Sequence, residues 1–511
     1  MRPTTQQQAV IDEARAGKTL TVQAGAGSGK STTLRAVAEA MPGTRILCVV
    51  YNKSVRLELR GKMPRNVACH TNHSYAMQII RNHWSGHLDR MKGNRQTGAQ
   101  QANILCLSGP VRINANVVLS PAQRARLAMA AINTWCKSAE LDLLPEHIKA
   151  PMGISDRADV QRLREVILPV AHAARADIRK RDGQLKWQHD YYLKMAQLLV
   201  ARGGMTLPYD LIMVDECQDT NEAAADLYLF TQAATQRIIV GDSAQAINGW
   251  NGSVDILRTF PADQLLFLSK SFRFGPAIAE EANKWLTLLG APLRLEGHEP
   301  VGSTIGPIDQ PDAVLCRTNA AAMGEVFTAL KNGRTPALVG GGGEIERLAE
   351  AAELLQAGLP TDHPDLCAFP SWAMVRDYVE NDPLGNDLKV FADLVDSYGA
   401  TTVRRAAKQV KDAEHALPGD TVISTGHRSK GLEWRKVRAA GDFRAPNADS
   451  TKSGDTPVNR EELMLNYVTV TRAMERLDRG SLAWIDDYVP GTRPAAAPRS
   501  RRRAVPLPIA V

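Results

Sequence analysis

A glycine-rich octapeptide near the amino end, Ala24-Gly25-Ala26-Gly27-Ser28-Gly29-Lys30-Ser31, carries the residue types that hold a polyphosphate. Small residues let successive backbone N–H groups curl round a phosphate at a helix N-terminus. Lys30 is long enough to reach the β and γ phosphates, and the Ser31 hydroxyl is a hard donor for Mg²⁺. The strict pattern has glycine where Ala24 stands, so a glycine-rich turn matching by accident is the competing reading. Context counts against it: the apolar run Leu20–Val22 precedes the loop, and a helical pattern of Leu34, Val37, Ala38 and Met41 follows until Pro42-Gly43. A second cluster follows the apolar run Leu211–Val214, where Asp215-Glu216-Cys217-Gln218-Asp219 puts two adjacent carboxylates at the end of a strand. Ligands of α/β sheets bind at that edge, so Asp215 is suited to hold Mg²⁺ and Glu216 to polarise a water attacking a γ-phosphate. A lone Asp-Glu pair is ordinarily a solvated turn, but four apolar residues before it weaken that reading.

These groups need rigid elements to carry them. Short apolar runs at Leu20–Val22, Ile46–Tyr51, Leu211–Val214, Ile238–Val240, Val314–Cys316 and Thr421–Ser424 read as buried parallel strands. They fall into two groups separated by long stretches, which predicts an α/β protein of two units, each interrupted by a mainly helical insertion. The expected first unit covers residues 1–80 and 206–266, with 81–205 inserted; the second covers 267–345 and 418–488, with 346–417 inserted. Residues 489–511 turn to Pro, Ala and Arg, including Arg499, Arg501, Arg502 and Arg503, and read as a disordered basic tail.

The 511 residues exceed the size of a single core, and a hydrophobic share of 44% with 23% charged residues is that of soluble globular domains. A net charge of +7 favours polyanionic partners without choosing among them. The seven cysteines are scattered with no CxxC pair, so neither a zinc module nor a disulfide framework is indicated and a reduced, intracellular setting fits best. The N-terminus has no apolar signal region and no run of about 18 apolar residues occurs, so a secreted or membrane-spanning protein is not expected.

The sequences AGAGSGKS and VDECQD together resemble the first two ATPase motifs of superfamily 1 DNA helicases of the UvrD/Rep type, and further motifs occur in the family's order. The resemblance implies two RecA-like P-loop domains. Thr5-Gln6-Gln7-Gln8 resembles the Q motif, with Gln6 reading the adenine edge, and the loop residues Ala24 to Ser31 with Thr32 hold the phosphates. Gly241-Asp242-Ser243-Ala244-Gln245 resembles motif III, where Gln245 senses the γ-phosphate. Ser271-Phe272-Arg273 resembles motif IV, which implies Phe272 stacking on adenine and Arg273 reaching the γ-phosphate from the second domain. The stretch from Ser424 to Trp434 resembles motif V, with Glu433 near the ribose, and Tyr467-Val468-Thr469-Val470-Thr471-Arg472 resembles motif VI, with Arg472 as a second arginine finger. Tyr51-Asn52-Lys53-Ser54, Lys430-Gly431-Leu432-Glu433-Trp434 and His189-Asp190-Tyr191-Tyr192-Leu193-Lys194 look like the F-box DNA helicase branch, although the early phosphate loop leaves no room for an F-box ahead of it.

For the nucleic-acid track the resemblance implies contacts from Asn52, Thr71, His73, Thr425 and His427, and base stacking by Trp250. His73 serves equally well as a structural histidine. In the first insertion, Arg175, Arg179, Lys180, Arg181 and Lys186 near Trp187, Tyr191 and Tyr192 suit a nucleic acid or a solvated helix face. His83 and His87, four apart, lack the glutamate of a zinc-binding HExxH.

The resulting expectation is a motor that uses ATP and Mg²⁺ to move 3′ to 5′ on single-stranded DNA, engaging tailed or forked duplexes. The alternative is a nucleoprotein remodeller acting on recombinase filaments, or an ATP-driven DNA clamp, without processive unwinding. The second insertion, only about 70 residues long, keeps that alternative open.

Overall fold

The computed structural model describes residues 2–488 apart from 93–95, 152–153, 204, 233–234, 250–251, 382–385, 418, 444 and 446–458. Trp250 and the basic tail lie outside the described residues.

The first unit opens with the helix Thr5–Arg15 and strand β1 (Leu20–Ala24), followed after the phosphate loop by the helix Lys30–Ala40, β2 (Ile46–Val50) and β3 (Val67–Thr71). A small antiparallel hairpin, β4 (Val111–Arg112) and β5 (Val118–Leu119), lies in the first insertion. The chain then returns through β6 (Leu211–Val214), β7 (Gln236–Gly241) and β8 (Gln264–Leu268). The six main strands form one parallel sheet in the order β3-β2-β6-β7-β1-β8. A parallel sheet is covered on both faces, which is why β2 and β6 are buried at every position. One face packs Val10, Leu34, Val37 and Ala38 from its two helices. The other shares a core with the helix Asn72–Leu88, which runs into the insertion, and with the insertion helices Pro121–Lys137, Arg157–Arg179 and His189–Ala201.

Strand β2 ends before Tyr51, one residue earlier than the apolar run suggests. The reason is local: the Asn52 side chain accepts from the Val55 N–H at 2.8 Å and starts the helix Lys53–Arg60. Trp187, Tyr191 and Tyr192 are buried, so the basic and aromatic mixture expected on a surface is instead core with charges beside it. His87 is buried between Trp84 and Trp187, its Nε2 3.1 Å from the Arg179 carbonyl. Lys194 is fully buried, donating to the carbonyls of Ser138 (2.9 Å) and Glu140, with its Nζ 5.0 Å from the centre of the Trp135 ring. Burial pushes its pKa down to about 8.

The second unit contains β9 (Thr304–Ile305), β10 (Ala313–Cys316), β11 (Pro336–Leu338), β12 (Lys411–Asp412), β13 (Thr421–Thr425), β14 (Trp434–Ala439) and β15 (Ala473–Asp478). They pair in parallel in the order β12-β11-β13-β10-β14-β15-β9. Between β11 and β12 the chain forms four helices, Gly343–Gln356, Trp372–Asn381, Asn386–Tyr398 and Ala400–Gln409, whose Val375, Phe391 and Val395 share a core with Val314 and Val326. The opposite face carries the helices Pro276–Leu288 and Arg460–Val470, with Trp285, Tyr467 and Val468 buried. That last core also takes in Ala26, Ala244 and Ile247 of the first unit, so apolar packing runs on across the junction of the sheets.

Candidate active site

The phosphate loop leaves β1 and enters a helix whose N-terminus is uncapped by any side chain, with Gly29 at the cap. Gly27 (φ 73°) and Gly29 (φ 78°) are in the left-handed region, which glycine adopts without penalty. Ala24, by contrast, is still strand, paired with Leu268, so its position demands smallness and not a special backbone. The Ser28 hydroxyl is buried with no partner, and the first helical N–H groups have no side-chain acceptor, a combination that fits a phosphate. Thr32 lies exposed on the first turn.

Asp215 and Glu216 leave β6 directly beside this loop. Ser31 Oγ donates to Asp215 Oδ2 at 3.2 Å, bringing together a hydroxyl and a carboxylate, oxygen donors of the kind that fit Mg²⁺. Lys30 Nζ lies 3.0 Å from Glu216 Oε1, while Gln218 Nε2 donates to Glu216 Oε2 at 2.5 Å. Glu216 has a left-handed backbone (φ 51°), a conformation that costs about 1 kcal/mol or more outside glycine. Burial, then the neighbouring Glu216 charge, pushes the Asp215 carboxyl up to about 6, against the pull of Lys30. For Glu216 burial acts in the same upward direction, but Lys30, Lys430 and the Gln218 hydrogen bond outweigh it and hold the group down to about 2. Burial opposes the charge on Lys30, yet Glu216, Asp215 and Asp242 keep its pKa raised.

The second unit closes over the same place. Phe272 N donates to the Gly27 carbonyl at 2.8 Å, and a Cβ on Gly27 would lie 2.6 Å from both Arg273 Cβ and Ser271 Oγ. Arg273 donates through Nε to Glu433 Oε2 at 2.5 Å and through Nη1 to the Thr471 carbonyl at 3.1 Å. Arg472 is buried; Nε and Nη1 donate to the carbonyls of Val468 and Leu432, and Nη2 lies 3.4 Å from Gln245 Oε1. Burial, followed by repulsion from Arg273, lowers its pKa to about 9. Lys30, Ser31, Asp215, Glu216, Gln245, Arg273 and Arg472 thus line one cleft, which Asn52 and His427 also border.

Other expected site residues lie at the margins or are turned to structural tasks. Gln6 exchanges hydrogen bonds with Ser269 (2.8 Å from the Ser269 N–H, 3.0 Å to its hydroxyl). The Phe272 ring comes within 3.8 Å of a Cβ built on Gly29 and meets His298 edge-on. Thr71 caps the helix Asn72–Leu88, and His73 Nε2 lies 3.1 Å from Asp190 Oδ1. Thr425 is buried in β13, its hydroxyl accepting from the Arg428 N–H. Asn52 borders the cleft that contains Lys30.

Four residues in or behind the cleft were not singled out by their types. Lys430 Nζ lies 2.6 Å from Asp219 Oδ2 and also donates to the Gln245 carbonyl. The Tyr467 hydroxyl donates to Asp242 Oδ2 at 2.9 Å. Each lies inside a motif-like stretch, but its partner is more than 200 residues away in the chain.

Two parallel sheets that meet at a phosphate loop, with the carboxylates of one facing arginines of the other, are the architecture of a P-loop NTPase with paired RecA-like halves. The chain belongs to the UvrD/REP helicase family: residues 3–262 match the family's N-terminal domain. It is 28% identical over 514 residues to F-box DNA helicase protein 1 of Schizosaccharomyces pombe, a match covering 93% of this chain and 57% of the relative. F-box DNA helicase 1 of Gallus gallus is 25% identical over 511 residues, covering 93% of this chain and 48% of the relative. The chain therefore spans about half the length of the curated relatives it matches.

Proposed function

We propose that this chain is an ATP-dependent DNA motor that translocates 3′ to 5′ on single-stranded DNA and unwinds tailed or forked duplexes. The observation that carries the reading is the shared cleft, with Lys30, Asp215 and Glu216 on one unit and Arg273 and Arg472 on the other. In this reading the loop from Ala24 to Thr32 cradles the ATP phosphates, Gln6 and Phe272 flank the adenine, and Glu433 lies by the ribose. Ser31 and Asp215 would hold Mg²⁺, which when bound would supply neutralisation of phosphate charge. Glu216, ionised at neutral pH, accepts the proton of the attacking water, and Gln245 orients it. Arg273 and Arg472 neutralise charge on the transferring phosphoryl group only while the units are closed, which couples hydrolysis to their relative movement.

On the nucleic-acid side, Asn52, Thr71, His73, Trp250, Thr425 and His427 are proposed contacts, carried over from the family pattern. In the arrangement described above, Thr425 needs a rearrangement before it can contribute its side chain. The seven cysteines are free, which fits work in the reducing interior of a cell. The test is ATP hydrolysis with and without single-stranded DNA, in the wild type and in Lys30→Ala. Equal rates in all four samples sink the proposal. Paired 3′- and 5′-tailed duplexes, in DNA and RNA, then read polarity and sugar preference.

A second reading, a remodeller of recombinase filaments or a DNA clamp, draws on one contact between the insertions. Gln123 of the first donates both to Thr361 O (3.2 Å) and to Cys367 O (2.8 Å) of the second, and Arg126 pairs with Asp362 at 3.2 Å. Filament displacement without strand separation selects this reading.

A further inference from the structure

Tyr467 is fully buried at the end of the helix Arg460–Val470, in the second unit, yet its hydroxyl serves two groups of the first. It donates to Asp242 Oδ2 at 2.9 Å and accepts from the Ala26 N–H of the phosphate loop at 3.3 Å. Asp242 is itself a buried junction. Its Oδ1 accepts from the Ala244 N–H at 3.0 Å, its Oδ2 also accepts from Gln245 Nε2 at 2.7 Å, and its own N–H donates to Gln218 Oε1 at 3.0 Å. Gln218 in turn holds Glu216. A continuous chain of hydrogen bonds therefore runs from the phosphate loop, through a hydroxyl of the opposite unit, to the carboxylate proposed to activate water.

We propose that Tyr467 is a positioning residue that sets the geometry of the phosphate loop and of Gln245 only when the two units are closed; the proposal rests on the ATPase reading above. Separation of the units would leave the Ala26 N–H without its acceptor and Asp242 with one donor fewer. Separation exchanges these bonds for bonds to water, a modest net loss, so the hydroxyl biases the molecule slightly towards the closed arrangement. The same movement withdraws Arg472, five residues further on, from Gln245. Loop, γ-phosphate sensor and arginine finger are thereby set together. The tyrosine meets the proposed phosphate cradle at the Ala26 N–H alone and leaves Lys30 and Ser31 to others, so its effect is expected mainly in turnover and little in nucleotide affinity.

The experiment is steady-state ATP hydrolysis by the full chain, with an oligodeoxythymidine as the single-stranded probe, in the wild type, Tyr467→Phe, Asp242→Asn and the double variant. Loss of one buried hydrogen bond predicts a kcat roughly tenfold to a hundredfold lower in Tyr467→Phe, with KM for ATP changed less than about threefold. Because the Tyr467–Asp242 bond is common to both side chains, the double variant should lose less than the product of the two single losses. Turnover unchanged in Tyr467→Phe, or losses that multiply in the double variant, overturn the proposal. A variant that raises KM with kcat intact also overturns it, because that is a binding role. Should Tyr467→Phe fail to fold, Asp242→Ala, which leaves the hydroxyl no side-chain acceptor, is read from the other end of the bond, and unchanged turnover there is equally fatal. No hydrolysis by the wild type removes the ATPase reading itself, whereas an active wild type with an equally active Tyr467→Phe removes this inference alone.

Discussion

The Lys430 ammonium and the buried Asp219 carboxylate, 2.6 Å apart, join the second unit to the first in the lining of the cleft. Asp219 also accepts from Asn248 Nδ2 at 2.8 Å, so the pair is embedded in a network and not free to rotate into solvent. Replacing one partner strands the other. Lys430→Met is expected to lower the free energy of the first unfolding transition by about 3 kcal/mol in chemical denaturation. Asp219→Asn in the same background should recover most of that loss, since neither charge is then left alone. An unchanged transition in Lys430→Met contradicts the coupling of the two units through this pair.

Lys30→Ala removes both the cation proposed for the phosphates and the partner of Glu216. Hydrolysis should fall by at least about a hundredfold, the scale of losing one preorganised charge in a closed site. Circular dichroism should remain that of the wild type, since the lysine lies on the first turn of its helix and supports no core. Activity within tenfold of wild type would contradict its role.

Arg273→Ala leaves Glu433 and the Thr471 carbonyl without their guanidinium but does not open the phosphate loop. Nucleotide affinity should stay within about tenfold, measured with a fluorescent ATP analogue, while turnover falls by about 10³. Equal losses in affinity and turnover would assign the arginine to binding.

Lys194 provides a pH test far from the cleft. Its pKa is about 8 in the folded chain against an ordinary 10.5, so between those values the unfolded chain binds more protons and stability rises with pH. Relative to Lys194→Met, the wild type should gain up to about 1.4 kcal/mol per pH unit from about pH 8 to 10.5, and nothing below about pH 7. Parallel stability curves for the two proteins would contradict the shift.

Local patterns made much of this architecture readable. The phosphate loop could be recognised because strand, loop and helix are contiguous, and the departure at Ala24 is harmless because that residue is the last of β1. Strands buried on both faces, such as β2 and β6, announce themselves as unbroken apolar runs. β15 did not, because Glu475, Arg476 and Asp478 interrupt it near the sheet edge, and β3 did not, because only Cys69 of its five residues is fully enclosed. The aromatic residues after Lys186 misled for a related reason: composition cannot tell an aromatic that faces a core from one that faces a ligand. The cross-unit contacts of Lys430 and Tyr467 depend on closure of two units and have no local signature at all.

The clearance at Gly27 gives the position a meaning beyond its backbone angle. A single methyl group there would strain the loop and also act as a doorstop between the halves, the machine idling because its jaws no longer meet.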